Sequence, residues 1–99
     1  KDCLLFCAGW KGHFSLEDSC YAGAILHHLS EHFELNSDSS TVTKDLFLKY
    51  ENDLMAMIKK SAHFKRLNNF GVNRDFELCI TKNLFEKAPF WNGSSIILG

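Results

Sequence analysis

The residue types best suited to chemistry cluster near the start of the chain, in Cys7-Ala8-Gly9-Trp10-Lys11-Gly12-His13-Phe14-Ser15-Leu16-Glu17-Asp18. Two glycines permit backbone angles closed to other residues, so the stretch reads as a loop between an apolar run and a helix start. In open α/β sheets, ligands bind at that kind of place, outside the carboxyl end of a strand. Main-chain N–H groups from Gly9 to Gly12 and at Ser15, with the positive end of the helix, favour an anion. Lys11 and His13 add donors. Glu17 and Asp18 add hard oxygen ligands of the kind Mg²⁺ takes. These residues would serve a phosphate and a magnesium ion sharing one pocket. A plainer reading stands beside it: Ser15 caps a helix and the two acids complement its dipole.

Other reactive types admit weaker readings. Cys7 precedes His13 by the spacing of a cysteine-phosphatase loop, but that chemistry needs an Arg where His13 stands. A metal route is therefore expected, with Cys7 as a packing residue. Cys3, Cys7, Cys20 and Cys79 include no Cys-x-x-Cys pair, so zinc is not expected. His27, His28 and His32 are read as structural residues of the first helix. His63 stands among Lys59, Lys60, Lys65 and Arg66, on either a solvated basic face or the rim of the pocket. Trp10 could close over a substrate or pack against other polypeptide.

Elements must position these residues. Leu4-Leu5-Phe6-Cys7 is an unalternating apolar run, which predicts a strand buried on both faces. From Ser15, the spacing of Leu16, Cys20, Ala24, Leu29 and Phe33 predicts a helix to about Glu34 or Leu35. Asn36 to Ser40 reads as a loop. A second helical region is predicted from about Val42, broken near Asn52-Asp53 and stopped at Gly71. Phe76 to Thr81 alternates as a short strand would, although Asp75 could begin a helical turn. Ala88 to Leu98 reads as a β-hairpin whose Asn92-Gly93 suits a two-residue type I′ turn. The class is α/β: a partial three-layer α/β/α unit, with strand-loop-helix followed by helices and a C-terminal hairpin. Its first strand wants neighbours, from another segment or a second copy.

Composition narrows the class further. Ninety-nine residues make one domain, and 45% hydrophobic content with nine Phe can supply its core. A net charge of -1 without a basic stripe makes nucleic acid and membrane surfaces poor partners. No apolar run approaches the roughly 20 residues of a membrane span. With no secretory pattern, the four cysteines are read as reduced and the chain as cytoplasmic. The chain opens on an apolar run without an initiator Met, which suggests a piece of a longer protein.

The stretch Cys7-Ala8-Gly9, Gly12-His13-Phe14-Ser15-Leu16-Glu17-Asp18 and Ala22-Gly23-Ala24 resembles the second-half signature of the 2-phosphosulfolactate phosphatase family. That family shows Cys-Ala-Gly, two variable residues, Gly-Arg-Phe-Ser-Leu-Glu-Asp, then Ala-Gly. Further resemblances follow in order, at Ser61-Ala62-His63, from Leu67 to Gly71, at Asp75-Phe76-Glu77-Leu78-Cys79 and at Ala88-Pro89-Phe90-Trp91-Asn92-Gly93. The resemblance implies a Mg²⁺-dependent hydrolysis of 2-phosphosulfolactate to sulfolactate and phosphate, as in coenzyme M biosynthesis. It implies Glu17, Asp18 and His63 in catalysis, with Glu17 and Asp18 at the metal. Gly9, Lys11, Gly12, His13 and Ser15 would bind substrate.

Two departures qualify it. Family members are more than twice as long, and their Asp-x-x-Arg and Thr-Thr-Asn-Gly-Thr motifs are missing here. The chain is thus expected to be the C-terminal part of a larger phosphatase, inactive alone and completed by the missing N-terminal half or a homo-oligomeric partner. The Arg after Gly12 is His13 here, an imidazole in place of a fixed guanidinium fork. The alternatives are a non-catalytic assembly domain and a small binder of anionic metabolites.

Overall fold

The computed structural model describes residues 1–68 and 73–99. Among them stand α1 (Leu16–Leu29), α2 (Asp38–Tyr50), α3 (Leu54–Lys60), α4 (Ala62–Asn68), α5 (Asn73–Ile80), β1 (Pro89–Trp91) and β2 (Ile96–Leu98). The mixed helix-and-strand class holds, with the loop, helices and closing hairpin in the expected order.

Polar caps decide where the helices begin. The Ser15 hydroxyl accepts from the Asp18 N–H at 3.3 Å, which starts α1 where the sequence places it. α1 stops at Leu29, earlier than its apolar spacing predicts. Ser30 turns both its hydroxyl and its N–H onto the His27 carbonyl, at 2.7 and 3.4 Å, and beyond it only a turn closed on the Leu29 carbonyl by the His32 and Phe33 N–H groups follows. α2 begins inside the stretch read as loop, because the Ser37 hydroxyl accepts from the Ser40 N–H and makes the following serines a first turn. Asp53 caps α3 through the Ala56 N–H at 3.1 Å, so the break at Asn52-Asp53 is real. A further break falls at buried Ser61, whose hydroxyl donates to the Ile58 carbonyl and accepts from the Phe64 N–H. Gly71, read as a helix stop, lies outside the described residues.

α1 packs lengthwise on α2 across Gly23. A Cβ there would collide with the Thr43 carbonyl oxygen and stand 2.9 Å from Phe47 Cβ. Cys20, Phe47, Met57, Ile58 and Phe76 form the buried core, flanked by Leu16, Leu54 and Phe64. Phe76 enters it from a helix, and the short strand read over Phe76–Thr81 gives way to α5. At helical spacing Phe76 and Ile80 share one face, and both join the core.

The chain ends depart further from expectation. The opening run is not a buried strand: it forms no ladder among the described residues, and Leu4 and Phe6 are 83% and 88% exposed. The described strands β1 and β2 pair with each other, so among the described residues its backbone has no strand partner. In the hairpin, Trp91 pairs with Ile96, leaving four connecting residues instead of two. The Asn92 side chain accepts from the Ser94 and Ser95 N–H groups, both at 2.9 Å, and Gly93 alone in this loop takes a positive φ. That replaces the type I′ turn. Among the described residues, no helix is long and apolar enough to cross a membrane.

Candidate functional site

A type I′-like turn does occur, but at the opposite end of the chain. Trp10 and His13 exchange N–H···O=C bonds of 3.0 and 2.8 Å, while Lys11 and Gly12 between them take φ of 49° and 78°. Gly9 has φ 71°, and a Cβ there would approach the His13 carbonyl oxygen to 2.7 Å. Asp18 Oδ2 accepts from the Gly9 N–H at 2.9 Å and straps the turn to the first turn of α1. The amides of Gly9, Trp10 and His13 are thus consumed within the motif. Those of Lys11 and Gly12 make no bond among the described residues.

Beside this turn lies a cavity of about 340 Å³ whose walls include Trp10, His13, Ser15, Glu17, His63 and Arg66. Glu17 Oε2 is buried and has no hydrogen-bond partner among the described residues, a costly arrangement for a carboxylate unless a ligand satisfies it. Arg66 places Cζ 4.6 Å from the centre of the Trp10 ring and Nη2 3.5 Å from His63 Nδ1. A guanidinium has no acceptor, so in that long contact Arg66 is the donor and His63 Nδ1 the acceptor. The His63 ring meets Phe76 edge-on, with centroids 6.4 Å apart.

Of the residues singled out from the sequence, His13, Ser15, Glu17 and His63 line this one cavity. Asp18 does not. It lines a larger cleft of about 1050 Å³ with Leu4, Cys7, Cys20 and Tyr21, and Glu17 borders both. Adjacent helical residues project roughly 100° apart, which is why only Glu17 of the two acids also reaches the smaller cavity. Gly9, Lys11 and Gly12 shape the turn without lining either cavity. Arg66 is the functional candidate that sequence reasoning left without a role, while Trp10 is read there as closing over a substrate or packing against other polypeptide. Arg66 lies three residues beyond His63, the spacing that puts two side chains on one helical face, and that was the available signal.

The donor set bears on a metal. Among the described residues, no group of three or more His, Cys, Asp or Glu converges as a metal site would. Magnesium, however, commonly takes one or two carboxylates and fills its remaining positions with water and phosphate oxygens. The orphan oxygen of Glu17 fits such a ligand, and Asp18 already spends Oδ2 on Gly9.

The cysteines divide unevenly. Cys20 is buried, and burial raises its thiol pKa against an opposing pull from Lys82. Cys3, Cys7 and Cys79 are exposed, so Cys7 is not a packing residue. Its Sγ lies 3.7 Å from the Asp18 carbonyl oxygen, as a weak donor.

The family described as 2-phosphosulpholactate phosphatase matches residues 1–94. Proteins of Thermotoga maritima and Thermotoga petrophila, both named "Probable 2-phosphosulfolactate phosphatase", are 40% and 39% identical over 89 residues. A protein of the same name from Caldanaerobacter subterraneus subsp. tengcongensis is 36% identical over 90 residues. Each match covers 90% of this chain but only 37–38% of the relative. No solved structure matches significantly. A match over nearly every residue, running through the glycine turn, the Ser15 cap and the helix of His63, makes this chain a member of the 2-phosphosulfolactate phosphatase family.

Proposed function

We propose that this chain contributes part of the active site of a Mg²⁺-dependent phosphatase acting on a small phosphomonoester. Its substrate is 2-phosphosulfolactate, converted to sulfolactate and phosphate in cytoplasmic coenzyme M biosynthesis. The observation that carries the reading is the buried carboxylate oxygen of Glu17, unpartnered among the described residues, on a side chain that lines a cavity with His13, Ser15 and His63. Family membership and the names of the relatives support the reaction class.

In this reading the phosphate lies between the glycine turn and α4. The Ser15 oxygen already accepts from Asp18, which leaves its hydroxyl proton for a phosphoryl oxygen. The unbonded amides of Lys11 and Gly12 donate from the rim, and His13 and His63 donate within the cavity. Glu17 supplies a metal ligand, and Asp18 holds the turn in place through Gly9. A magnesium ion at Glu17 would supply Lewis acidity and an activated water. Further polypeptide, either the counterpart of the relatives' remaining length or a second copy, completes the pocket and covers Leu4 and Phe6.

The test is a chimera in which this chain replaces the matching segment of the Thermotoga maritima protein. Magnesium-dependent phosphate release from 2-phosphosulfolactate is expected, falling about 100-fold or more in Glu17→Gln and less in Asp18→Asn. Near-normal turnover in both variants removes the metal role. The exposure of Leu4, Phe6, Phe14 and Phe85 favours a second reading, a non-catalytic assembly domain. A chimera that folds and assembles without hydrolysing any phosphomonoester supports it.

A further inference from the structure

We infer that Arg66 is the anion-gripping guanidinium of the Glu17 cavity, held in position by the ring of Trp10 from the glycine turn. The inference takes from the proposed function only that the ligand is an oxyanion. Arg66 lies on α4, half-buried, and lines the cavity. Its polar and π contacts among the described residues are the Trp10 ring and His63 Nδ1, with no carboxylate among them. A guanidinium lying over an indole face uses that face for stacking and keeps the N–H groups of its edge for a fork-like grip on phosphate or sulfonate.

The neighbouring cations are committed elsewhere. Lys60 also borders the cavity, but its ammonium donates to the Tyr50 hydroxyl at 2.9 Å. Lys11 is exposed and lies 5.5 Å from the centre of the Trp10 ring. Among the described residues, Arg66 is therefore the permanent positive charge on the cavity wall that is not committed to a hydroxyl or carboxylate. Trp10 cannot drift from it easily, because the paired backbone bonds with His13 and the Asp18 strap on Gly9 fix the turn. The arrangement joins two segments more than fifty residues apart into one site, and it makes Trp10 a positioning residue and not a lid.

The experiment is titration of the 99-residue chain with inorganic phosphate at low salt in EDTA. It is followed by calorimetry, and by tryptophan emission in a Trp91→Phe background so that Trp10 alone reports. Saturable binding with a change in Trp10 emission is expected. Arg66→Lys keeps the charge but loses the fork and the stacking, and should weaken binding at least about tenfold with an unchanged melting temperature. Trp10→Leu should weaken it by a smaller factor. Circular dichroism verifies that each variant is folded, and the conservative Lys variant keeps the test open if Arg66→Gln unfolds. Wild-type affinity in Arg66→Lys, no phosphate binding by the parent chain, or saturation without a Trp10 response would each overturn the inference. Because EDTA removes the metal, loss of Mg²⁺-dependent hydrolysis in the chimera with Arg66-dependent binding intact counts against the phosphatase reading alone.

Discussion

Leu4 and Phe6 near the beginning of the chain are as apolar as Phe47 and Ile58 in its middle. Yet the first two are more than four-fifths exposed, and the second two retain 3% and 6% exposure. The difference lies in what each can pack against. Phe47 sits on α2 directly opposite Gly23 of α1, where two backbones approach closely enough to seal it. The run from Leu4 to Cys7 belongs to no helix or strand among the described residues, and an apolar segment needs another element beside it before its side chains have a layer to enter. The closing hairpin satisfies its own ladder but leaves much of its apolar surface uncovered among the described residues, and Ile96 and Leu98 stay 72% and 63% exposed. Hydrophobic sequence states a demand for burial. Only a neighbouring element meets it.

The largest effect is expected inside the helical body. Phe47→Ala should cost about 3–5 kcal/mol, read as a lowered urea midpoint, because the helices around it can collapse only partly onto the void. A loss under 1 kcal/mol would mean that the α1–α2 seam is not the centre of stability. Gly23→Ala should cost about 1–3 kcal/mol, since the new Cβ meets backbone at Thr43, which cannot swing aside as a side chain would. At the chain end, Phe6→Ser should change stability by no more than about 0.5 kcal/mol and should reduce self-association by light scattering. A large destabilisation there would mean that the opening run is packed after all, and the contrast between the two regions would fail.

The finest test compares thiols. Cys3, Cys7 and Cys79 should react with a maleimide within minutes at neutral pH, while Cys20 reacts only on unfolding. Burial raises the Cys20 pKa, so the folded chain keeps a proton that the unfolded chain releases. The stability this contributes is full below the ordinary thiol range and declines as pH rises through the folded pKa. Cys20→Ala should flatten that decline in a melting series from neutral to alkaline pH.

Much of the site was legible in residue order. Ser15 with acids behind it announces the start of α1, and Gly9 and Gly12 announce a turn that does take positive φ. Where local chemistry competed with itself, the reading slipped. Ser30 and Ser37 both lie in polar stretches, yet one ends a helix by turning back on a carbonyl and the other begins one by capping. Asn92-Gly93 has the composition of a two-residue turn, but the Asn92 side chain prefers to gather the next two amides, and the pairing shifts to Trp91 and Ile96. The Phe76 segment fits strand and helix alternation alike, and contact with Phe64 on α4 favours the helix.

The sequence by itself determined the turn, the caps and the family, because each depends on residues adjacent in the chain or matched in order. Tertiary structure decided that Glu17 borders both cavities while Asp18 reaches only the larger, and that Arg66 reaches Trp10 across the fold. Those relations depend on how α1 and α4 are rotated and packed, and residue order does not encode a distance between segments so far apart.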